Sequence, residues 1–192
     1  NVSITTDVGD TIATATDLGL LTATQPLSVS GTIDQAFDRD VFEFQAQATG
    51  TILVELNADS SSLDPFVAVL DSSGATISFN DDIQPGVIRN SRLAFAAQAD
   101  ETYFVVARGF DISTGAYQLN LALLPDVGDT IQTAEDLGHL TANQPLAVVS
   151  VVNQAFDRDV FQFQVDGTGS TRVELSRGSG TLILDPFVTV LD

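Results

Sequence analysis

Carboxylates carry most of the chemistry available to this chain. Asp38 and Asp40 lie two residues apart in FDRDVFEF, just ahead of an aromatic pattern, and a second acidic run, Asn80-Asp81-Asp82, follows another apolar stretch. Grouped side chains of this kind suit three tasks. They can hold a hard divalent cation, which takes several oxygen ligands from carboxylates, carbonyls and water. They can cap turns by accepting backbone N–H groups. A pair can also serve as acid and base on a glycosidic bond. The last fits poorly: the two carboxylates share one extended segment, and with no Trp and only two Tyr the chain lacks the aromatic residues of a sugar cleft. Other catalytic sets are missing. The one histidine, His139, has Leu20 as its counterpart in an internal repeat, there is no Cys, and neither GxSxG nor HExxH occurs. The sequence therefore argues against an enzyme.

The charge balance narrows the partners. Acidic residues outnumber basic ones 26 to 7, for a formal net charge of -19. Nucleic acid is excluded as a partner, because its affinity comes from Lys and Arg neutralising phosphates. The same charge repels anionic membranes, attracts cations and keeps a crowded array soluble. All seven basic residues are Arg, which with the many Asp suits a surface in saline or calcium-containing surroundings. Without Cys there is no disulfide framework, and no apolar run approaches a membrane span, so membrane insertion is not expected.

The elements that must position these carboxylates come twice. Asp7 to Leu56 is repeated 119 residues later by Asp126 to Leu175, with about two thirds of the paired residues identical. DVGDTIATATDLG returns as DVGDTIQTAEDLG, QAFDRDVFEFQ as QAFDRDVFQFQ, and LDPFVAVLD as LDPFVTVLD. A unit of this length suits a sandwich domain. The expected organisation is a tail strand of a preceding repeat, or a donor strand, over residues 1–6, a complete repeat over 7–124, and a partial second repeat over 126–192. Partners then include copies of the chain or neighbouring repeats. An open sheet in the partial repeat invites completion by further polypeptide or by strand addition from another molecule, which would build a filament.

Apolar residues alternate in short runs separated by turn residues, the period of half-buried strands. In DVFEFQA the inner face is Phe42, Phe44 and Ala46; in TILVEL it is Ile52, Val54 and Leu56. The repeat decides the latter, since Leu53 becomes Arg172 while Val54 and Leu56 persist as Val173 and Leu175. Further strands are expected at Pro26 to Ile33, Phe66 to Asp71, Ala75 to Phe79, Ser91 to Ala97, Thr102 to Arg108 and Ala116 to Leu123. Turns fall at Ala48 to Gly50, Asp71 to Gly74, Pro85 to Gly86 and Ser113 to Gly115. TIATATDLG is expected to hold at most one helical turn, with Asp10 as cap. Phe42, Phe44, Phe66, Phe104, Phe161, Phe163 and Phe187 read as core residues. About eight short strands without helices imply an all-β, antiparallel, jelly-roll-like β-sandwich.

This order of motifs resembles the bacterial pre-peptidase C-terminal domain. It runs from DVGDTIATATDLG through FDRDVFEFQAQATG and LDPFVAVLDSSGATISFNDD to ADETYFVVARGFDISTGAYQLNL. The resemblance implies secretion to the outside of the cell or its surface, and an accessory, non-catalytic role. That role is a structural or adhesive unit, an accessory region of a secreted peptidase or other hydrolase, or a module that binds carbohydrate, collagen or another extracellular polymer. An exposed aromatic patch would favour the last, and the composition offers little for one. The resemblance also implies calcium (Ca2+): in related collagen-binding modules, acidic residues of the entering segment join an acidic pair ahead of an aromatic strand. Here those residues are Asp7, Asp10, Asp38 and Asp40, and in the second copy Asp126, Asp129, Asp157 and Asp159; where such modules more often carry Glu and Asn, the entering segment has Asp7 and Gly9. Asn80 to Asp82 is an alternative site. The competing reading is that these Asp residues only cap turns, with Arg39 and Arg158 paired to them.

Overall fold

Alternation decides where the strands form and which side of each is buried. Ser91–Ala97 shows it most plainly, with every second residue buried and those between exposed. A computed structural model describes residues 2–3, 7–148, 150, 158–176 and 187–191. In chain order its strands are β1 Val2–Ser3, β2 Thr16–Leu21, β3 Leu27–Ile33, β4 Arg39–Ala46, β5 Gly50–Ala58, β6 Pro65–Leu70, β7 Thr76–Asn80, β8 Ser91–Ala97, β9 Thr102–Gly109, β10 Gly115–Pro125, β11 Glu135–Leu140 and β12 Phe161–Val165.

Two five-stranded sheets face each other, in the orders β1-β3-β10-β5-β8 and β2-β4-β9-β6-β7. From β3 to β6 the chain changes sheet at every connection, and after the β6–β7 hairpin it does so again to β8, β9 and β10. The architecture is an all-β sandwich. Its pairings are antiparallel except at one edge of each sheet, where β1 runs parallel to β3 and β2 parallel to β4. Of the residues expected to form a tail or donor strand, Val2 and Ser3 pair with this chain's own β3. Asn1 and residues 4–6 lie outside the described residues.

The inner faces merge into one core. Phe42, Phe44 and Ala46 of β4, Val67 and Val69 of β6, and Tyr103 and Val105 of β9 pack against Ile52, Val54 and Leu56 of β5 and Tyr117, Leu119 and Leu121 of β10. Phe95 and Tyr103 meet edge to face with ring centroids 5.0 Å apart. Burial of an aliphatic or Phe side chain here contributes about 1.5–3 kcal/mol.

Three core assignments are corrected. Phe104 is buried and Phe66 partly so, but both lie on the outer face of their sheet, because Tyr103, Val105, Val67 and Val69 occupy the inward positions. A run of successive apolar residues such as YFVVA hides which alternate set points inward. In the second copy, Phe161 and Phe163 are half-buried and Phe187 is exposed. The helical turn forms over Ile12–Thr14, but Thr11, rather than Asp10, occupies the N-cap position. Beyond it, β2 is a strand that the Thr-rich sequence did not announce.

The outer faces differ. On the first sheet, Ser28, Ser30 and Thr32 of β3 stand beside Gln118 and Asn120 of β10, and Arg92 pairs with Glu55 at 2.6 Å. On the second sheet, the register aligns Val41, Val106, Ala68 and Phe79 in one row across β4, β9, β6 and β7.

The second copy reproduces the opening of the first. β11 pairs parallel with β12 as β2 does with β4, with Glu135 opposite Phe161 where Thr16 lies opposite Phe42, and with the same irregularity in register. The 3₁₀ turn Ile131–Thr133 matches Ile12–Thr14, each held by a 2.9 Å contact between threonine hydroxyls. Gly9 and Gly128 are required by the close approach of the turn, since a Cβ on either would lie 2.3 Å from a carbonyl oxygen of Thr14 or Thr133. The joint between the copies is short. The Asp126 N–H donates to Thr49 at 3.1 Å, Val127 is buried, and the Gly128 carbonyl accepts from Val160 at 3.1 Å.

Candidate metal centre

Three aspartates converge at the start of β4. One carboxylate oxygen from each of Asp7, Asp38 and Asp40 lies within 4.8 Å of the other two. Asp7 is exposed, whereas Asp38 and Asp40 are 4% and 1% exposed.

Each is held by a different device. Asp7 comes from the entering segment, which is fastened to β4 by the Val41 N–H donating to the Gly9 carbonyl at 3.1 Å. Asp38 sits in the turn before β4 and accepts the N–H groups of Asp34 at 3.1 Å and Arg39 at 2.8 Å. The preceding residue, Phe37, adopts φ 68, an uncommon conformation for a bulky side chain, and is largely exposed. Asp40 occupies an inward-facing position on β4, so the strand alternation itself drives its carboxylate between the sheets.

Asp40 meets Tyr117, whose hydroxyl donates to its Oδ2 from the opposing sheet. Tyr117 is fully buried and lies opposite Gly31 in the register. A Cβ at Gly31 would stand 2.4 Å from the Tyr117 hydroxyl oxygen, so the absent side chain makes room for the ring. The other oxygen of Asp40, Oδ1, is buried without a hydrogen-bond partner.

Burial pushes the Asp40 carboxyl up to about 7; the negative charges of Asp38, Asp7 and Asp10 add to the rise, and the Tyr117 hydrogen bond opposes it. Asp38 is raised for the same leading reason, burial, against its two backbone hydrogen bonds. Tyr117 is raised as well, by burial and by the facing Asp40. Three carboxylates with a buried oxygen left over form an all-oxygen, anionic donor set that suits a hard divalent cation. Asp7, Asp38 and Asp40 would supply its charge, and the remaining oxygens would come from carbonyls or water.

The other expected ligands are arranged differently. Asp10 adds to the repulsion on Asp40 but stands outside the group of three. Among the described residues, Asp126, Asp129 and Asp159 form no second group of three, and Asp157 lies outside the described residues. At the alternative loop, the Asn80 side chain accepts the Arg92 N–H, and the carbonyls of Asn80 and Asp81 accept the Ser91 hydroxyl, so this segment anchors the loop to β8. Turn capping also occurs. Asp71 accepts the N–H groups of Ser73 and Ala75, and Asp17 and Asp136 accept those of Gly19 and Gly138. Asp38 combines capping with membership of the cluster. Neither Arg39 nor Arg158 forms an ion pair among the described residues.

Sequence reasoning missed Tyr117 and Gly31. A buried tyrosine needs a partner for its hydroxyl, but neither spacing nor composition joins positions 31, 40 and 117 before the sheet register is known.

Residues 38–109 match the family model of the bacterial pre-peptidase C-terminal domain. The match spans β4 to β9 and includes Asp38 and Asp40. Among solved structures, the pre-peptidase C-terminal domain of collagenase from Bacillus anthracis is similar at 15% identity, over 60% of this chain and 99% of that one, with a TM-score of 0.45. PliG from Aeromonas hydrophila, a periplasmic inhibitor of g-type lysozyme, is similar at 16% identity, over 57% and 96%, with a TM-score of 0.42. The Yersinia pseudotuberculosis-derived mitogen is similar at 16% identity, over 55% and 92%, with a TM-score of 0.41. No sequence match to a curated protein was found.

Proposed function

We propose that this chain, which carries a bacterial pre-peptidase C-terminal domain at residues 38–109, is a non-catalytic extracellular β-sandwich unit stabilised by calcium. The observation that carries the reading is Asp40, whose Oδ1 is buried without a partner and whose carboxylate offers an oxygen within 4.8 Å of oxygens from Asp7 and Asp38. Leaving a buried acceptor unsatisfied costs about 1–3 kcal/mol, and more for a charged group. A bound cation removes that cost and the mutual repulsion together. Secretion accords with the family, whose name ties it to peptidases, and among the described residues no helix is long and apolar enough to cross a membrane.

Millimolar calcium is the expected working range, since weak extracellular sites have Kd around 10⁻⁴ to 10⁻³ M. Saturation a hundredfold above Kd stabilises the folded state by about 2.7 kcal/mol. The test is thermal unfolding of the 192-residue chain in chelator and in rising calcium. The reading requires a calcium-dependent rise in Tm that disappears in Asp38→Asn/Asp40→Asn. An unchanged wild-type Tm would leave these carboxylates as turn caps. A role beside the catalytic region of a secreted peptidase is the second reading, favoured by the family match, and the full reading frame decides it.

A further inference from the structure

On the outer face of the β2-β4-β9-β6-β7 sheet two arginines stand together without a carboxylate in ion-pair distance among the described residues. Three other arginines do have carboxylates: Arg92 pairs with Glu55 at 2.6 Å across β5 and β8, Arg172 with Glu174 at 2.8 Å, and Arg89 with Asp64 at 3.7 Å. On this face, Arg39 of β4 lies directly opposite Arg108 of β9. Like charges opposite one another destabilise a sheet. With 26 acidic residues available against 7 basic ones, a shortage of partners does not explain it. Burial and the neighbouring Arg39 both press the Arg108 guanidinium below its ordinary range, and Asp81 attracts it only from beyond ion-pair distance.

The aromatic residues complete the feature. Arg108 stacks on Phe66, its guanidinium carbon 3.7 Å from the ring centroid, and donates one hydrogen bond to the Gly109 carbonyl at 3.0 Å. Phe66 in turn lies nearly parallel to Phe79, at 5.8 Å and 14°, and Phe79 is 65% exposed. Arg39, Arg108 and Phe66 occupy one cross-strand row on neighbouring strands. At about 4.8 Å per strand, the exposed Phe79 ring on β7 stands about 10 Å from the strand of Arg108 and about 14 Å from that of Arg39.

We propose that this face binds a carboxylate-bearing polysaccharide, with Arg39 and Arg108 clamping a sugar carboxylate and Phe79 stacking on a neighbouring ring. Guanidinium groups recognise carboxylates through paired N–H donors, and most of the ten donors on these two residues are uncommitted among the described residues. The face of a sheet has its backbone groups engaged in the ladders. A peptide laid on it gains no ladder hydrogen bonds and loses about 1–3 kcal/mol for each backbone group it buries unpaired. A sugar ring instead places an apolar face on Phe79 and keeps its hydroxyls at the rim, in water. The inference does not depend on the cation reading.

Polygalacturonate is a suitable probe, with its methyl ester as the uncharged comparator. Binding is measured by affinity electrophoresis and calorimetry on the whole chain in chelator, so that calcium cannot bridge aspartates to the polymer. The wild type is expected to bind polygalacturonate and not the ester, and to weaken as NaCl rises. Arg39→Gln and Arg108→Gln should each reduce affinity at least tenfold, and Phe79→Ala should reduce it several-fold. Arg39→Gln relieves the charge repulsion, so its Tm at low salt should equal or exceed that of the wild type, which separates lost binding from lost folding. Absence of binding, equal binding of the ester, or full binding by the arginine variants overturns the proposal. So does concentration-dependent dimerisation, in the absence of polymer, that the same substitutions abolish, since the face would then belong to a second copy.

Discussion

Residues 7–46 and 126–165 share most of their sequence, yet only part of the first region's structure recurs in the second. The 3₁₀ turn, the parallel strand pair, the shared irregularity in register and the Asp-to-Gly turn contact return at the same 119-residue offset. All of these are made from residues close together within the unit. The β3 counterpart shows no strand over 145–148. In the first copy β3 pairs with β10, a partner distant in the sequence. The two copies thus separate locally encoded structure from structure that needs a distant partner. Phe44 is fully buried beneath the opposite sheet, whereas its counterpart Phe163 is only half-buried.

The contrast is broken most directly by truncating those two phenylalanines. Phe44→Ala is expected to cost about 3–5 kcal/mol, and Phe163→Ala less than about 1 kcal/mol, read from urea unfolding of the whole chain. Equal losses would mean that the second copy is packed as well as the first.

A cation should sharpen the difference through Asp40. Its carboxyl is raised from 3.8 to about 7 by burial, so between those values the folded state holds a proton that the unfolded state has released. Stability without calcium is therefore expected to fall as pH rises from about 4 to about 7. Asp40→Asn should flatten that slope in chelator and remove most of the roughly 2–3 kcal/mol that saturating calcium adds to the wild type. Melting curves across pH, with and without calcium, check both parts.

A smaller effect is expected at Gly31, whose counterpart is Ser150. A methyl group there meets the Tyr117 hydroxyl, so Gly31→Ala should cost about 1–3 kcal/mol by overpacking and weaken the calcium response. Ser150→Gly should change stability by no more than about 1 kcal/mol. A Gly31→Ala protein that unfolds like the wild type would show that Tyr117 can move without consequence.

The smallest effect belongs to the second copy alone. His139 Nδ1 lies 2.8 Å from Asp166 Oδ1, and this hydrogen bond raises the imidazole above its ordinary 6.5. Its contribution is complete below the unfolded pKa and is lost as pH rises through the folded one. NMR titration of His139 should give a value above 6.5 that returns toward 6.5 in Asp166→Asn.

The sequence made much of the fold legible because alternation is a local signal. Phe42, Phe44, Val54 and Leu56 point inward as their spacing requires. It failed where successive residues are apolar, as around Phe104, and where Thr and Gly conceal an edge strand, as in β2. The candidate site was half visible for the same reason. Asp38 and Asp40 stand together in the chain, while Tyr117 and Gly31 join them only through the pairing of β3 with β10 and the facing of the two sheets.

The joint at Asp126 to Gly128 has a mechanical consequence. One backbone hydrogen bond ties Asp126 to the first copy, another ties Gly128 to the second, and the buried Val127 lies between them. Flexing there must break a bond contributing on the order of 1 kcal/mol or expose the valine, so bending at the joint is opposed. A pull along the chain meets no slack tether. It loads β10 lengthwise against β5, where the register from Tyr117 to Pro125 must slide in shear before the first copy gives way.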